Sequence, residues 1–408
     1  MHILFISCNF PENPETSTHG VYGRMRTLLK GLAASGASLT VLFFVHDPAP
    51  YIGADKALWH QRLCHFFGVY ITLQFAPLAA RKLQAQGVKG ILAGAVSFFK
   101  QENYARMSGA AQVSALDAAL ASQVDLVFVH RLAAMPPLLL TQKRLPRVFL
   151  DMDDIEHVAF MREITQPPVW RSKYLRYLQV PALMAGERRA IRLTEKTLVC
   201  SPLDVKKLGA FAGRGQVVAL PNSVVMPPLT SPAAQPTLLF LGTFTYLPNV
   251  RAVEYMLNAV WAHVLAAVPH ARFVVGGIEP QNIAHFASPP PQVEFAGYLP
   301  DLNAAYRDAR AVVCPILSGG GTRVKIVEAA AHGRAIVSTT LGAEGLEFEP
   351  KSEILIADTA EQFAALCVRV LQDHAYARQV GLAARAKAET VYDRASVVKQ
   401  LASWVSGV

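Results

Sequence analysis

The chain has 408 residues, of which 52% are apolar and 17% charged. That much apolar material is ample for large buried cores and excludes a disordered chain, and the length suggests two domains. The net charge of +9 and a pI near 9.3 point to nucleic acid, an anionic membrane or a phosphorylated ligand. No nucleic-acid-binding motif is present, and the Lys and Arg residues are not interleaved with aromatics as such a surface requires, which argues against the first.

HILFIS (2–7) reads as a first strand, and MHILFISCNF lacks the cationic n-region and cleavage pattern of a signal peptide. After the long loop NFPENPETSTHGVYG, RMRTLLKGLAAS has helical spacing and LTVLFFV (39–45) is a second strand. Residues 55–122 read as helical, basic and aromatic. DLVFVH (125–130) and RVFLDMDD (147–154) are strands, 155–196 is helical and basic, and TLVCS (197–201) and VVALPN (217–222) are short strands. Apolar strands in a βαβ rhythm imply an α/β fold with a doubly wound parallel sheet.

The proline-rich stretch SVVMPPLTSPAAQPT (223–237) resists helix and central strand and reads as a domain linker. A second βα series follows: LLFLGT, a helix over 250–267, RFVVGG, VEFAGY, a helix over 301–309, AVVCPI (311–316), a glycine loop with its helix, AIVSTT and EILIA. A helical tail over 360–406 ends it. The expected division is an N-terminal Rossmann-like domain over 1–225 and a C-terminal one over 226–389, with a terminal helix over about 390–408 packing back on the first. The strand ends of both sheets are expected to face a central cleft.

Cys8, Cys64, Cys200, Cys314 and Cys367 are scattered, odd in number and without CxxC spacing. They read as reduced thiols, and the chain as cytoplasmic. No apolar run reaches the roughly 18 residues a spanning helix needs, so any membrane contact is made from the surface.

The densest chemistry lies in SGGGTRVKIVEAAAHG (318–333). Gly319, Gly320 and Gly321 let backbone approach a ligand and aim N–H groups at it. Thr322 and a helix start follow, with Gly333 closing the helix. Arg323 offers forked hydrogen bonds and Lys325 a compact charge. All of this suits a diphosphate, although the GxxxxGK[ST] pattern is absent. Glu328 would repel phosphate but could accept from the vicinal hydroxyls of a ribose.

SGGGTRVKIVEAAAHGRAIVSTTLGAEGL (318–346) resembles the donor-binding segment of GT-B glycosyltransferases of the GT4-like group 1 family, in its bacterial polysaccharide type. LLFLGTFTYLPNVRAVEYML, VEFAGYLPDLNAAYRDARAVVCP, TLVCSPLDVKKL, VVALPNSV and DLVFVHRL resemble further stretches of that family, most closely over 237–346 and least over 46–122. The resemblance implies a GT-B fold. A nucleotide sugar of the UDP or GDP type is the expected donor, bound mainly to the C-terminal domain. Transfer proceeds with retention to a glycan or lipid-linked acceptor in cell-surface polysaccharide biosynthesis, without metal or other cofactor. It places Gly242, Thr243, Asn249 and Tyr298 with the donor loop. A GT-B sugar-nucleotide epimerase or phosphorylase, or a non-catalytic nucleotide-sugar-binding subunit, are the alternatives.

Three positions depart from the family pattern. Gly320 stands where the first of two glutamates eight apart is usual, Thr243 and Asn249 where an arginine and a lysine are usual, and Ser223 where a glycine follows Pro-Asn. Arg323 and Lys325 are expected to supply the missing phosphate charge.

On the N-terminal side, Gly20 and Gly23 of STHGVYGRMR would allow close approach, Arg24 or Arg26 could reach phosphate, and His19 is a further polar candidate. His130 ends its strand and matches the family's strand-end histidine. DMDDIEH (151–157) has three readings: a metal-binding Asp-x-Asp, an acceptor-positioning carboxylate at Asp151 or Asp153, or an N-cap at Asp154. The stretch 162–196 carries Arg162, Arg171, Lys173, Arg176, Arg188, Arg189, Arg192 and Lys196 with Trp170, Tyr174 and Tyr177. It reads either as a solvated face or as a peripheral contact with an anionic membrane.

Overall fold

The computed structural model describes residues 1–15, 20–79, 87–170, 172–213 and 216–407. His19 and Arg171 lie outside the described residues. The chain divides into two compact units, Met1–Pro221 with Val397–Val408, and Asn222–Ser396.

The first unit is built on seven parallel strands: β1 (His2–Ser7), β2 (Ser38–Val45), β3 (Thr72–Pro77), β4 (Leu126–His130), β5 (Arg147–Asp153), β6 (Lys196–Val199) and β7 (Val217–Ala219). Their order is β3-β2-β1-β4-β5-β6-β7. The chain winds outward one way from β1, then returns beside it at β4 and winds the other way. In such sheets ligands gather beyond the C-terminal strand ends at that reversal. One apolar cluster lies around Leu4, Ile6, Val127 and Leu150, and another around Phe5, Val41, Phe128 and Phe149. Alternate residues of the same strands enter the two clusters, as pleating requires. The C-terminal helix Arg394–Ser406 packs on the helix Gly20–Ala34, where Gly31 leaves room for Leu401.

β3 corrects the reading of 55–122 as wholly helical. TLQFAP buries Leu73 and Ala76 and exposes Thr72, Gln74 and Pro77. Its short, half-polar pattern is that of an edge strand, where a terminal proline leaves no ladder bond unmade.

The second unit carries β8 (Thr237–Leu241), β9 (Arg272–Gly276), β10 (Val293–Gly297), β11 (Ala311–Cys314), β12 (Ala335–Ser338) and β13 (Leu355–Ile356). All are parallel, in the order β10-β9-β8-β11-β12-β13, the same winding again. Its core is one cluster that includes Phe240, Trp261, Val312, Ile336 and Phe363. The helical tail is three helices, Ala360–Gln372, His374–Val391 and Arg394–Ser406. Asp373 breaks the first from the second by accepting from the Tyr376 N–H, an N-cap bond.

The proline-rich stretch is not a loose connector. Proline removes N–H donors but keeps carbonyls, and buried or partly buried cations reach those carbonyls in succession. Arg394 donates to Ser223 O, Arg385 to Pro227 O, Arg334 to Thr230, and Arg310 to Ala233 and Ala234. Part of the chain's positive charge is therefore internal fastening. Among the described residues, no helix is long and apolar enough to cross a membrane.

Candidate functional site

In the second unit, β11 ends at Cys314 and the glycine loop follows. Gly319 (φ 99°) and Gly321 (φ 70°) lie in the left-handed region, where side chains with a Cβ are strained. A Cβ on Gly319 would also lie 2.6 Å from the Tyr246 hydroxyl. The helix runs Val324–Ala331, later than the sequence suggested, with Arg323 as its N-cap and no side-chain capping bond. The first-turn N–H groups of such a helix favour an anion.

Arg323 turns back on its own loop. It is buried, and its guanidinium donates to the carbonyls of Gly320, Gly321 and, at 3.5 Å, Ser318. In this arrangement the guanidinium braces its own loop. Thr322 Oγ1 accepts from Asn222 Nδ2 at 3.0 Å, which ties the loop to the Pro-Asn turn.

Lys325 donates to Asn249 Oδ1 at 2.8 Å, and its ammonium lies 3.9 Å from the centre of the Phe240 ring. Asn249 Nδ2 in turn donates to Thr243 O at 2.9 Å. Gly242 is packed against the same amide, since a Cβ there would fall 2.8 Å from Asn249 Nδ2. The structure thus joins Gly242, Thr243, Asn249 and Lys325 around the ends of β8 and β11. Burial lowers the Lys325 pKa to about 8, and Arg323 adds to the effect. Gly277 was not singled out in the sequence. Its φ is 143°, and a Cβ would sit 1.7 Å from Gly242 O, so only glycine can follow β9. The doubled glycine of RFVVGG was the available signal.

Glu328 stands one turn beyond Lys325 on the same helix face. Its Oε2 accepts from the Tyr306 hydroxyl at 2.9 Å. Burial raises its pKa, against the pull of Tyr306 and Lys325. Tyr306 is buried and stacked on His332, with ring centres 4.4 Å apart. Tyr298, exposed just after β10, stands outside this hydrogen-bonded set.

In the first unit, strand register builds a second group. Ser7 pairs with His130, and His130 with Asp151, so three strands bring one row of polar side chains to their C-terminal ends. Ser7 Oγ and His130 Nδ1 are 3.0 Å apart. His130 is fully buried, and Nε2 has no hydrogen-bond partner. Burial, with the charges of Arg131 and Arg24, lowers its pKa to about 3, so it stays neutral.

Arg24 and Asp151 hold each other. Arg24 Nε donates to both Asp151 oxygens at 3.0 and 2.9 Å, Nη2 donates at 2.5 Å, and Nη1 donates to Leu220 O at 3.1 Å. Both side chains are buried. This corrects the readings of Arg24 as a phosphate ligand and of Asp151 as an acceptor ligand: each has its counter-charge in the other. Burial raises the Asp151 pKa against the pull of Arg24. Arg26 likewise donates to Phe66 O at 2.9 Å and lies over the Phe66 ring, which takes it from the phosphate role. Gly20 and Gly23 fall in the first two turns of the helix Gly20–Ala34, and a Cβ on Gly23 would meet nothing within 4 Å.

Asp153 keeps a partly exposed carboxylate. Burial works against its charge, but Arg131 and Arg24 bring its pKa down to about 2. Arg131 Nη2 approaches Asp153 Oδ2 at 3.3 Å, and Cys200 Sγ donates to Oδ1 at 3.0 Å. Both Arg131 (φ 68°) and Asp153 (φ 60°) have the left-handed backbone that non-glycine residues rarely adopt. Such strain gathers at functional sites. Arg131 was missed because a cation just past a strand reads as solvated surface. Asp154 is not the helix cap: Ile155 holds that position, and Asp154 lies 3.7 Å from Arg131. Among the described residues, no group of three or more His, Cys, Asp or Glu is arranged to hold a metal ion.

Residues 235–373 match the family model described as Glycosyl transferases group 1. No curated protein sequence matches the chain. Among solved structures, sucrose-phosphate synthase from Thermosynechococcus elongatus is similar with a TM-score of 0.72 at 17% identity, covering 100% of this chain and 98% of that one. TarM is similar with a TM-score of 0.71 at 9% identity, covering 99% and 98%, and a TarM variant from S. aureus has been solved with UDP, alpha-GlcNAc-glycerol and fondaparinux. Anabaena HepE, solved with UDP and glucose, has a TM-score of 0.62 at 14% identity, covering 100% and 99%. At these identities the likeness concerns the fold, which is GT-B.

Proposed function

We propose that this chain, which has the GT-B fold and matches the group 1 glycosyltransferase model over 235–373, is a glycosyltransferase that moves a sugar from a nucleoside-diphosphate donor to a glycan or lipid-linked acceptor of cell-surface polysaccharide. The observation that carries this reading is one helix face. Lys325 presents a cation beside an uncapped helix start and a glycine loop, and one turn on Glu328 presents a carboxylate held by Tyr306. The first half suits a diphosphate and the second a ribose diol. UDP and UDP-glucose in HepE support the UDP class of donor.

As the sugar–phosphate bond breaks, charge grows on the departing diphosphate. Lys325 and the first-turn amides would meet that charge without reorganising. Arg323 would keep the loop carbonyls turned inward so that the amides face the ligand. In the first unit, a Ser7 hydroxyl donating to His130 Nδ1 would leave the proton on Nε2, a neutral donor toward a sugar or acceptor hydroxyl. Asp153, ionised and partly exposed, would accept from an acceptor hydroxyl. Transfer would retain anomeric configuration and need no metal, since the protein supplies the phosphate charge.

The test is nucleotide release from a panel of UDP and GDP sugars, with and without candidate acceptors. The anomeric configuration of the product is then read by NMR, and the assay is repeated in EDTA. Release that depends on acceptor, with retention and in EDTA, is expected. Isomerised but unconsumed donor would indicate an epimerase. No turnover and no slow hydrolysis, despite nucleotide binding, would indicate a non-catalytic subunit.

A further inference from the structure

The helix Val88–Val96, VKGILAGAV, has the composition of a core helix but not the burial. Val88 and Leu92 are about half exposed, and Val96 is 82% exposed. Their spacing of four places them in one outward stripe. Gly94 faces the other way, buried, and a Cβ there would meet Gln179 Nε2 at 2.3 Å. Through that close seat the helix rests on the 3-10 helix Lys173–Gln179, and Gln179 Nε2 donates to Ile91 O at 3.2 Å.

The supporting element is exposed in the same manner. Trp170, Tyr174 and Leu178 each leave about half their surface in solvent. Trp170 is held in place from behind: the Lys173 ammonium lies 5.2 Å from its ring centre and donates to the carbonyls of Gln166 and Pro168. Two adjoining elements thus expose large apolar and aromatic side chains together, which marks an interaction surface.

Its charge selects the partner. Neither 87–101 nor 164–186 contains an aspartate or glutamate. Lys89 is exposed within the stripe's own helix. Beyond Leu178, the helix Val180–Leu193 exposes Pro181, Ala185, Arg188 and Arg192, a single face that passes from apolar to cationic. An apolar stripe, exposed Trp and Tyr beside the adjoining element and exposed cations on the next helix are the residue classes that a lipid headgroup region takes up.

We propose that this surface docks the N-terminal unit on an anionic lipid bilayer, with Leu92, Val96 and Trp170 entering the interface and Lys89, Arg188 and Arg192 facing the headgroup phosphates. The contact is peripheral, and none of its residues belongs to the donor set.

Co-sedimentation of the full chain with vesicles tests it. Phosphatidylcholine vesicles containing about a third phosphatidylglycerol should bind the chain, and pure phosphatidylcholine vesicles much less, with binding to the former weakened by salt. Leu92→Glu with Val96→Glu should weaken partitioning by at least about tenfold. Unfolding temperature and nucleoside-diphosphate binding should not change. Trp170→Ala with Tyr174→Ala, on the other element, should act in the same direction. Arg188→Glu with Arg192→Glu should remove most of the salt dependence. The proposal is overturned if the wild type ignores both vesicle types or if the Leu92/Val96 variant binds as well as wild type. It is also overturned if light scattering without lipid shows a dimer that this variant splits, because the surface then belongs to a second copy of the chain.

Discussion

Lys325 donates to Asn249 Oδ1 at 2.8 Å, and Asn249 donates onward to Thr243 O, so the helix start after β11 is bonded to the loop after β8. Two residues that stand where the family pattern has cations thus form one unit with Lys325. Lys325 is held at a pKa of about 8, below its ordinary value. A bound diphosphate would favour the protonated form and raise that value. Above pH 8 the free protein must therefore take up a proton to bind, and affinity for a nucleoside diphosphate should fall by up to about tenfold per pH unit. Calorimetric titration across pH 7 to 10 checks this, and the dependence should vanish in Lys325→Ala.

Glu328 is expected to read ribose, with Tyr306 setting its orientation. Glu328→Gln should weaken ribonucleotide binding by about tenfold to a hundredfold and weaken 2′-deoxy nucleotides, which keep only the 3′-hydroxyl contact, clearly less. Tyr306→Phe should produce a smaller loss with the same selectivity. Equal losses for both sugars would reduce Glu328 to a structural role.

The buried pair of Arg24 and Asp151 makes a prediction about folding. Arg24→Met leaves Asp151 without its counter-charge and should destabilise the first unit by about 3–5 kcal/mol. Arg24→Met with Asp151→Leu, which removes both charges, should recover much of that loss. Urea unfolding followed by Trp and Tyr fluorescence would show it.

His130 is neutral in the fold because its pKa is lowered to about 3, whereas an exposed histidine titrates near 6.5. Between those values the unfolded chain binds a proton that the folded chain does not. Stability contributed by neutral His130 is thus present above pH 6.5 and lost as pH falls toward 3. His130→Gln should flatten part of the acid limb of the stability curve. An acid limb unchanged by the substitution would count against a neutral buried histidine.

The parallel strands were legible because burial on both faces writes them as continuous apolar runs: HILFIS, DLVFVH and RVFLDMDD match β1, β4 and β5 within one residue at either end. β3 was not, since a half-exposed edge strand lacks that run. The glycine loop and Glu328 could be singled out because glycine and a carboxylate near an anion are informative by residue type alone. The pairing of Arg24 with Asp151 spans 127 positions, and Arg323's return to its own loop depends on a χ choice. Neither leaves a trace in local pattern, so both cations read as ligands. Arg131 and Asp153 were hidden in a different way: their positive φ comes from the strand ends they close, not from their own preference.

The central claim is that the loop and helix over 318–328 hold the diphosphate and ribose of a nucleotide-sugar donor. Hydrogen exchange of the full chain, with and without UDP or GDP, localises that contact directly. The account predicts slowed exchange of amides over 319–328 and around Thr243 on nucleotide binding, reduced in Lys325→Ala. Nucleotide binding that leaves the amides of 319–328 unchanged would contradict it.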